Sequence, residues 1–153
     1  MANEEIKRFF DEKVPRNWFS SISVDSDGDE IWCVGELPTG ASVEEFREST
    51  RAERVGIAEG AEELFRRKVS WGVSRDGVTT LFTHLSTPVM TRLRLRERVV
   101  LDTLIDSGVA RSRSEALAWC VKLVARHESE WLGELREALA GVEKVRAEGP
   151  TSA

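Results

Sequence analysis

The sequence predicts an α+β protein: a small N-terminal α+β domain, then a strand followed at once by two helices, then a long or broken C-terminal helix. Three patterns support this. Short alternating segments separated by turn signals occupy residues 1–85, an alternation of apolar and basic residues begins at Val89, and helical spacing of apolar residues continues to about residue 147. The predicted domain boundaries are therefore 1–85, 89–127 and 128–147.

The N-terminal domain is predicted to begin with a helix and a β-hairpin. Residues 3–12 carry apolar side chains at helical spacing. Residues 18–24 and 30–37 alternate apolar and polar positions on either side of the acidic segment Asp25–Asp29. Such a segment between two alternating runs is typical of a hairpin turn.

A long helix and a second hairpin are predicted to complete this domain. Ser42 to Glu45 has the capping-box pattern, so a helix should begin there and end near Lys68. Residues 69–73 and 78–82 then flank an Arg-Asp-Gly turn. Tryptophans 18, 32 and 71 are predicted to lie in the core, because aromatic side chains on short alternating strands usually pack inside. The role of this domain is open, with ligand sensing and partner binding as the two candidates.

The segment 89–95 is predicted to be a strand with one apolar and one basic face. The first face carries Val89, Thr91, Leu93 and Leu95. The second face carries Met90, Arg92, Arg94 and Arg96. A single strand leaves its backbone groups unpaired, so it needs a partner strand, which a second copy of the chain would supply.

Two helices are predicted to follow, the first over Val99 to Ser107 and the second from Arg113 onward. Leu101 and Leu104 belong to an apolar stripe at helical spacing, and Gly108 stands where a helix would stop. Residues 112–115, Ser-Arg-Ser-Glu, form a second capping box that opens the next helix. The alternative, an amphipathic edge strand of an ordinary sheet protected by its charges, does not account for this helix pair.

Residues 89–127 resemble the ribbon-helix-helix DNA-binding family, in which two chains pair their strands into an antiparallel ribbon that enters the major groove. The resemblance rests on the alternation at 92–95, on Val100 to Leu104 at the start of the first helix, and on Ala110 to Leu117 at the start of the second. In that family the outward strand residues read base edges and the second helix holds a phosphate at its start. Arginine suits guanine, and a helix N-terminus suits an anion.

The resemblance implies a role for each matching residue. The base-contacting residues would be Met90, Arg92 and Arg94. The phosphate contacts would be Arg96, Ser112, Arg113 and Ser114. The dimer core would contain Leu93, Leu95, Leu101, Leu104, Leu117 and Val121.

The charge distribution agrees with a polyanionic partner for the middle of the chain only. Residues 90–127 contain 8 Lys/Arg and 4 Asp/Glu, a net charge of +4, although the whole chain carries −5. The segments before and after this block are both acidic. Because local potential steers a polyanion, the overall negative charge does not exclude DNA binding.

The C-terminal segment is predicted to mediate assembly. Apolar residues from Val121 to Val145 recur at alternating steps of three and four, interrupted only by Glu128. The helix therefore either continues to about residue 146, or breaks near His127 and Glu128 so that the last part folds back as a separate helix. In both cases its apolar face would reinforce the dimer, join dimers into a tetramer or dock on the N-terminal domain.

The sequence contains no motif that favours catalysis, a metal or a cofactor. Cys33 and Cys120 are far apart, and Cys120 is predicted to be a buried free thiol. Neither histidine has a ligand or a nucleophile at a useful spacing. We find no signal peptide and no apolar run long enough to cross a bilayer, so we expect a cytoplasmic protein without membrane contact.

The expected function is that of a homodimeric, sequence-specific transcriptional regulator, acting as a repressor on double-stranded DNA. The alternative is a protein-interaction module, such as an antitoxin-like dimer that captures a protein partner through one of its acidic flanking segments. A ligand-binding sensor in residues 1–85 is a third hypothesis.

Overall fold

The computed structural model describes residues 2–150, and these form an α+β protein that divides into two compact units, Met1–Val89 and Met90–Ala153. The first unit contains helix α1 (Ala2–Lys13), strands β1 (Ser21–Ser26) and β2 (Glu30–Glu36), helices α2 (Val43–Ser49) and α3 (Arg51–Phe65), and strands β3 (Lys68–Arg75) and β4 (Val78–Leu81). The second unit contains α4 (Leu95–Asp106), α5 (Arg113–His127) and α6 (Ser129–Glu148).

The first unit is built on a four-stranded sheet with the order β1-β2-β3-β4. Both hairpins, β1 with β2 and β3 with β4, are antiparallel as predicted. The central pair, β2 and β3, is parallel, with Cys33 opposite Trp71. Parallel neighbours need a crossover, and α2 and α3 form it.

An aromatic core lies between the helices and the sheet of this unit. Phe10 is fully buried and makes edge-to-face contacts with Phe9 and Trp71 at centroid distances of 5.4 and 5.7 Å. Trp18 is also buried, as predicted. Trp32 is 41% exposed, so the prediction that it lies in the core was wrong. It lies in β2 opposite Asp25, where the neighbouring strand offers no apolar cover.

The long helix predicted from Ser42 to near Lys68 is two helices. The Ser42 cap is confirmed, because its hydroxyl accepts a hydrogen bond from the Glu45 N–H at 3.4 Å. The helix is interrupted at Thr50, whose hydroxyl donates to the Phe46 carbonyl at 2.6 Å. Such side-chain bonds to the preceding turn compete with helix geometry. The second helix ends at Phe65, since Arg66 adopts a left-handed conformation with φ 57°.

The strand predicted for 89–95 is not formed in the single chain, and Leu95 and Arg96 were assigned to the wrong element. Residues 83–94 have no regular secondary structure, and α4 begins at Leu95 rather than at Val99. The carbonyl of Arg94 accepts from the Arg98 N–H at 3.0 Å, which closes the first helical turn. Residues 96–98 are all charged, so the first turn of α4 shows no apolar periodicity in the sequence. This exposed turn forms without it.

The C-terminal helix breaks at Glu128, which confirms the break point of the second predicted alternative but not its folded-back last helix. Glu128 has φ −113° and ψ 27°, outside helical geometry. Hydrogen bonds of helical spacing still cross the break, since the Glu128 N–H donates to Val124 and the Leu132 N–H donates to Glu128. The break is therefore a local interruption between α5 and α6.

Candidate nucleic-acid interface

The second unit carries a solvent-exposed basic segment, Met90–Arg94, directly before α4. Met90 is 94% exposed, and the side chains of Arg92 and Arg94 are exposed as well. Leu93 between the two arginines is half-buried and packs against the small core of the unit. The expected separation of basic and apolar side chains is therefore limited to positions 92–94, since Val89 and Leu95 of the predicted apolar face are 87% and 66% exposed.

Arg98 attaches this segment to α4. Its Nη1 donates to the Leu93 carbonyl at 2.6 Å, while its backbone N–H donates to Arg94. Two bonds from one residue thus fix the end of the basic segment. Sequence reasoning gave Arg98 no role, because a bond from a side chain to a carbonyl five residues earlier has no compositional signal.

The start of α5 has a formed cap. Ser112 is extended, and its hydroxyl accepts from the Glu115 N–H at 3.1 Å. The Glu115 carboxylate accepts in turn from the Arg111 N–H at 3.0 Å. Arg113 and Ser114 are exposed and lie in the first helical turn, where the N–H groups have no intrahelical partner. An anion in front of this turn would meet free donors and the positive end of the helix dipole.

An ion pair links α4 to α5 at this point. The Nε and Nη2 atoms of Arg113 each donate to one carboxylate oxygen of Asp102, both at 3.0 Å. The hydrogen bond to Arg113 lowers the pKa of Asp102, and the same bond raises the pKa of Arg113. The pair uses two of the five guanidinium N–H donors, so three remain for another acceptor. This partner of Arg113 was not expected from the sequence.

The second unit has only a small core of its own. Leu101, Ala110 and Ala116 are buried, with Leu93, Leu104, Leu117 and Cys120 packed around them. Leu95 and Val121, two residues of the predicted dimer core, are 66% and 62% exposed. Cys120 is free, and it is half-buried where the sequence predicted a buried thiol.

An apolar stripe on α6 is exposed along its length, and the helix has no buried residue. The large side chains of the stripe are Trp131, Leu135, Leu139, Val142 and Val145. Within the described chain this face therefore lacks a covering surface.

No group of three or more His, Cys, Asp or Glu residues between 2 and 150 is placed to hold a metal ion. Burial raises the pKa of the Cys33 thiol to about 12, so this cysteine is not a nucleophile at neutral pH. No helix among the described residues is both long and apolar enough to cross a bilayer.

Comparison with known proteins identifies relatives of both units. Residues 4–81 match the family model described as the Rv1265-like protein N-terminal domain, and residues 94–146 match the Mb1296 C-terminal domain. Rv1265 of Mycobacterium tuberculosis and Mb1296 of Mycobacterium bovis are each 49% identical over 155 residues, which covers 93% of this chain and 69% of each relative. No solved structure matches. The chain therefore belongs to the Rv1265-like protein family.

Proposed function

We propose that this chain is a homodimeric, sequence-specific DNA-binding transcriptional regulator of the ribbon-helix-helix type, acting as a repressor. Segments 90–94 of two chains would pair into an antiparallel ribbon that reads the major groove. Met90, Arg92 and Arg94 would contact bases, while Arg96 and the start of α5 at Ser112–Ser114 would contact phosphates.

The observation that carries the proposal is the exposed segment Met90–Arg94 attached to a helix pair with an incomplete core. The segment has no strand partner in the single chain, although Arg94 is already extended, with φ −82° and ψ 175°. Pairing with a second copy would satisfy its backbone groups. The same pairing would bring together apolar side chains around Leu93 that one chain leaves partly exposed.

The charges support DNA as the partner of this surface. Arg92 and Arg94 are exposed, and the structure gives neither an ion-pair partner among the described residues. A guanidinium group matches guanine O6 and N7 with two parallel hydrogen bonds. The capped start of α5 adds free N–H groups for a phosphate, and Arg113 retains three donors beside its pair with Asp102.

Selection of bound sequences from a random duplex pool tests the proposal. The full chain should enrich a repeated or palindromic site at near-physiological salt, and the Arg92→Ala/Arg94→Ala variant should not. A matched control, Arg136→Ala/Arg146→Ala, removes two exposed arginines from α6 and should enrich the same site. Failure of the intact, folded dimer to enrich any site would contradict the proposal.

Single substitutions separate base reading from phosphate contact. Arg94→Ala should cost about 1–3 kcal/mol on the preferred site and relax the base preference there. Arg113→Ala should weaken binding to all sequences alike, because phosphate contacts carry no sequence information. Equal losses on specific and random DNA for both variants would refute the assignment of roles.

A second candidate function, an antitoxin-like dimer that captures a protein, is favoured by the exposed stripe on α6. Trp131 and Leu135 are 54% and 42% exposed. Exposed apolar surface of this extent along one helix is typical of a protein-binding face. The two functions are compatible, because the ribbon and α6 are different surfaces.

A further inference from the structure

A cleft of about 560 Å³ in the first unit collects three arginines beside two aromatic rings. Arg47 comes from α2, and Arg51 and Arg54 come from α3. Trp71 of β3 and Phe82, just after β4, supply the aromatic surface. The carboxylates at its rim, Glu44 and Glu48, are exposed.

Arg54 is a buried cation without a counter-ion among the described residues. Its side chain is 7% exposed, and no carboxylate lies within ion-pair distance of it in residues 2–150. Its Nε donates to the Thr50 hydroxyl at 3.0 Å and its Nη2 to the Arg47 carbonyl at 2.6 Å. Three of its five N–H donors remain, two on Nη1 and one on Nη2. Burial, and then the charges of Arg47 and Arg51, lower its pKa, whereas Glu48 acts in the opposite direction. Burying an unpaired charge is costly, so an anion here would be strongly favoured.

The two aromatic residues that line the cleft, Trp71 and Phe82, are largely buried, at 5% and 8% exposure. The guanidinium carbons of Arg54 and Arg47 lie 4.8 and 5.2 Å from the centre of the Phe82 ring. The indole Nε1 of Trp71 is the one buried side-chain nitrogen or oxygen in the described chain that lacks a hydrogen-bond partner. Because this nitrogen is buried, it is an unsatisfied donor of the core and is not assigned to the open surface of the cleft.

We propose that this cleft binds a small organic anion, a carboxylate or phosphate monoester carried on a flat apolar group. The anionic oxygens would be held by Arg47, Arg51 and the free Nη1 of Arg54. The flat group would pack beside Phe82 and Trp71. This site goes beyond the proposed DNA contacts and does not depend on them, since all of its residues belong to the first unit.

Calorimetric titration of the full chain with naphthoate, naphthyl phosphate, uncharged naphthylmethanol and inorganic phosphate tests the site. Naphthoate or naphthyl phosphate should bind saturably, one per chain, and naphthylmethanol should bind at least about tenfold more weakly. The stronger of the two charged probes identifies the anionic group that the cleft prefers. Inorganic phosphate should bind more weakly than either, because it lacks the flat apolar group.

Two variants with the same charge change locate the binding. Arg47→Gln/Arg51→Gln should weaken the charged probes at least about tenfold. Arg8→Gln/Arg16→Gln, which changes two exposed arginines outside the cleft, should leave their binding unchanged. Arg54 itself is not substituted, because it joins α2 to α3.

Three outcomes would overturn the proposal. The first is that no charged probe binds the folded chain, and the second is that both variants bind the probes equally well. The third is that Arg47→Gln/Arg51→Gln weakens DNA binding without changing probe binding, which would make the cleft part of a nucleic-acid surface. Failure of the random-duplex selection alone would leave the anion site standing.

Discussion

The two units of this chain differ in how far each completes its own core. Among the described residues, the first unit has twelve buried core residues, and five of these are Phe or Trp. Four of the five form a chain of edge-to-face contacts: Phe10, Trp71, Trp18 and Phe19. The second unit has three buried core residues, two of them alanines. The first unit therefore completes a core of its own, whereas much of the apolar surface of the second unit is uncovered in the single chain.

This difference indicates that the second unit is the one that needs a second chain. Small units rarely bury enough apolar surface to be stable alone, and oligomerisation is a common remedy. Exposed apolar side chains on α4 and α5, such as Val99, Val100 and Val121, are then the surface that dimerisation would cover. The contrast between the units can be tested by substitutions that should act in one unit and not in the other.

The largest expected effect is on the aromatic core of the first unit. Phe10→Ala should lower its free energy of unfolding by about 3–5 kcal/mol, because the side chain is fully buried and its removal leaves a cavity. Hydrogen exchange resolved along the chain should show faster exchange in residues 2–82 and no change in residues 95–127. The loss should be the same at every protein concentration. A loss that disappears at high concentration would show that the first unit also depends on a second chain.

Two glycine-to-alanine substitutions in the first unit should change the free energy of unfolding in opposite directions. A Cβ on Gly35 would lie 2.1 Å from the Phe19 ring, so Gly35→Ala should destabilise by about 1–3 kcal/mol. Gly56 in α3 has no atom within 4 Å of an added Cβ, so Gly56→Ala should stabilise by about 0.4–1 kcal/mol. Urea unfolding curves of the two variants check both values. Equal effects would mean that Phe19 does not pack on Gly35.

The smallest expected effect is on the ion pair between α4 and α5. The lowered pKa of Asp102 means that the charged carboxylate is favoured in the folded state. Its stabilising contribution is therefore complete above the ordinary carboxyl pKa of 3.8 and is lost as pH falls through the lowered value. The free energy of unfolding of Asp102→Asn should be slightly lower than that of the wild type at neutral pH, and the two values should converge in acid. A difference that persists in acid would assign the effect to something other than the ion pair with Arg113.

The sequence predicted the first unit well because its signals are local. Alternation, turn residues and the Ser42 cap are read within a few positions, and they located both hairpins and the crossover helix. The break at Thr50 was not predicted, because it depends on a hydroxyl bonding to the preceding turn. The parallel pairing of β2 with β3 was also missed, since it joins residues about 38 apart.

The candidate interface was predicted in composition but not in its internal bonds. The order of basic segment, helix and capped helix follows from residues 89–117, and Arg92, Leu93 and Arg94 separate as expected. The start of α4 was placed too late, because the charged residues after Leu95 hide the first turn. The pair of Arg113 with Asp102 joins two helices, and no local pattern reports it.

Amide hydrogen exchange in residues 90–94, measured across a dilution series of the full chain, tests most directly whether two chains complete the second unit as a ribbon. In the single chain these residues have no regular secondary structure, so their amides should exchange fast at low concentration. At high concentration, strand pairing should slow the exchange of the amides that bond across the ribbon, and the second unit should become more stable in parallel. Fast exchange of residues 90–94 at every concentration, with the second unit unchanged, would contradict the ribbon and with it the proposed mode of DNA reading.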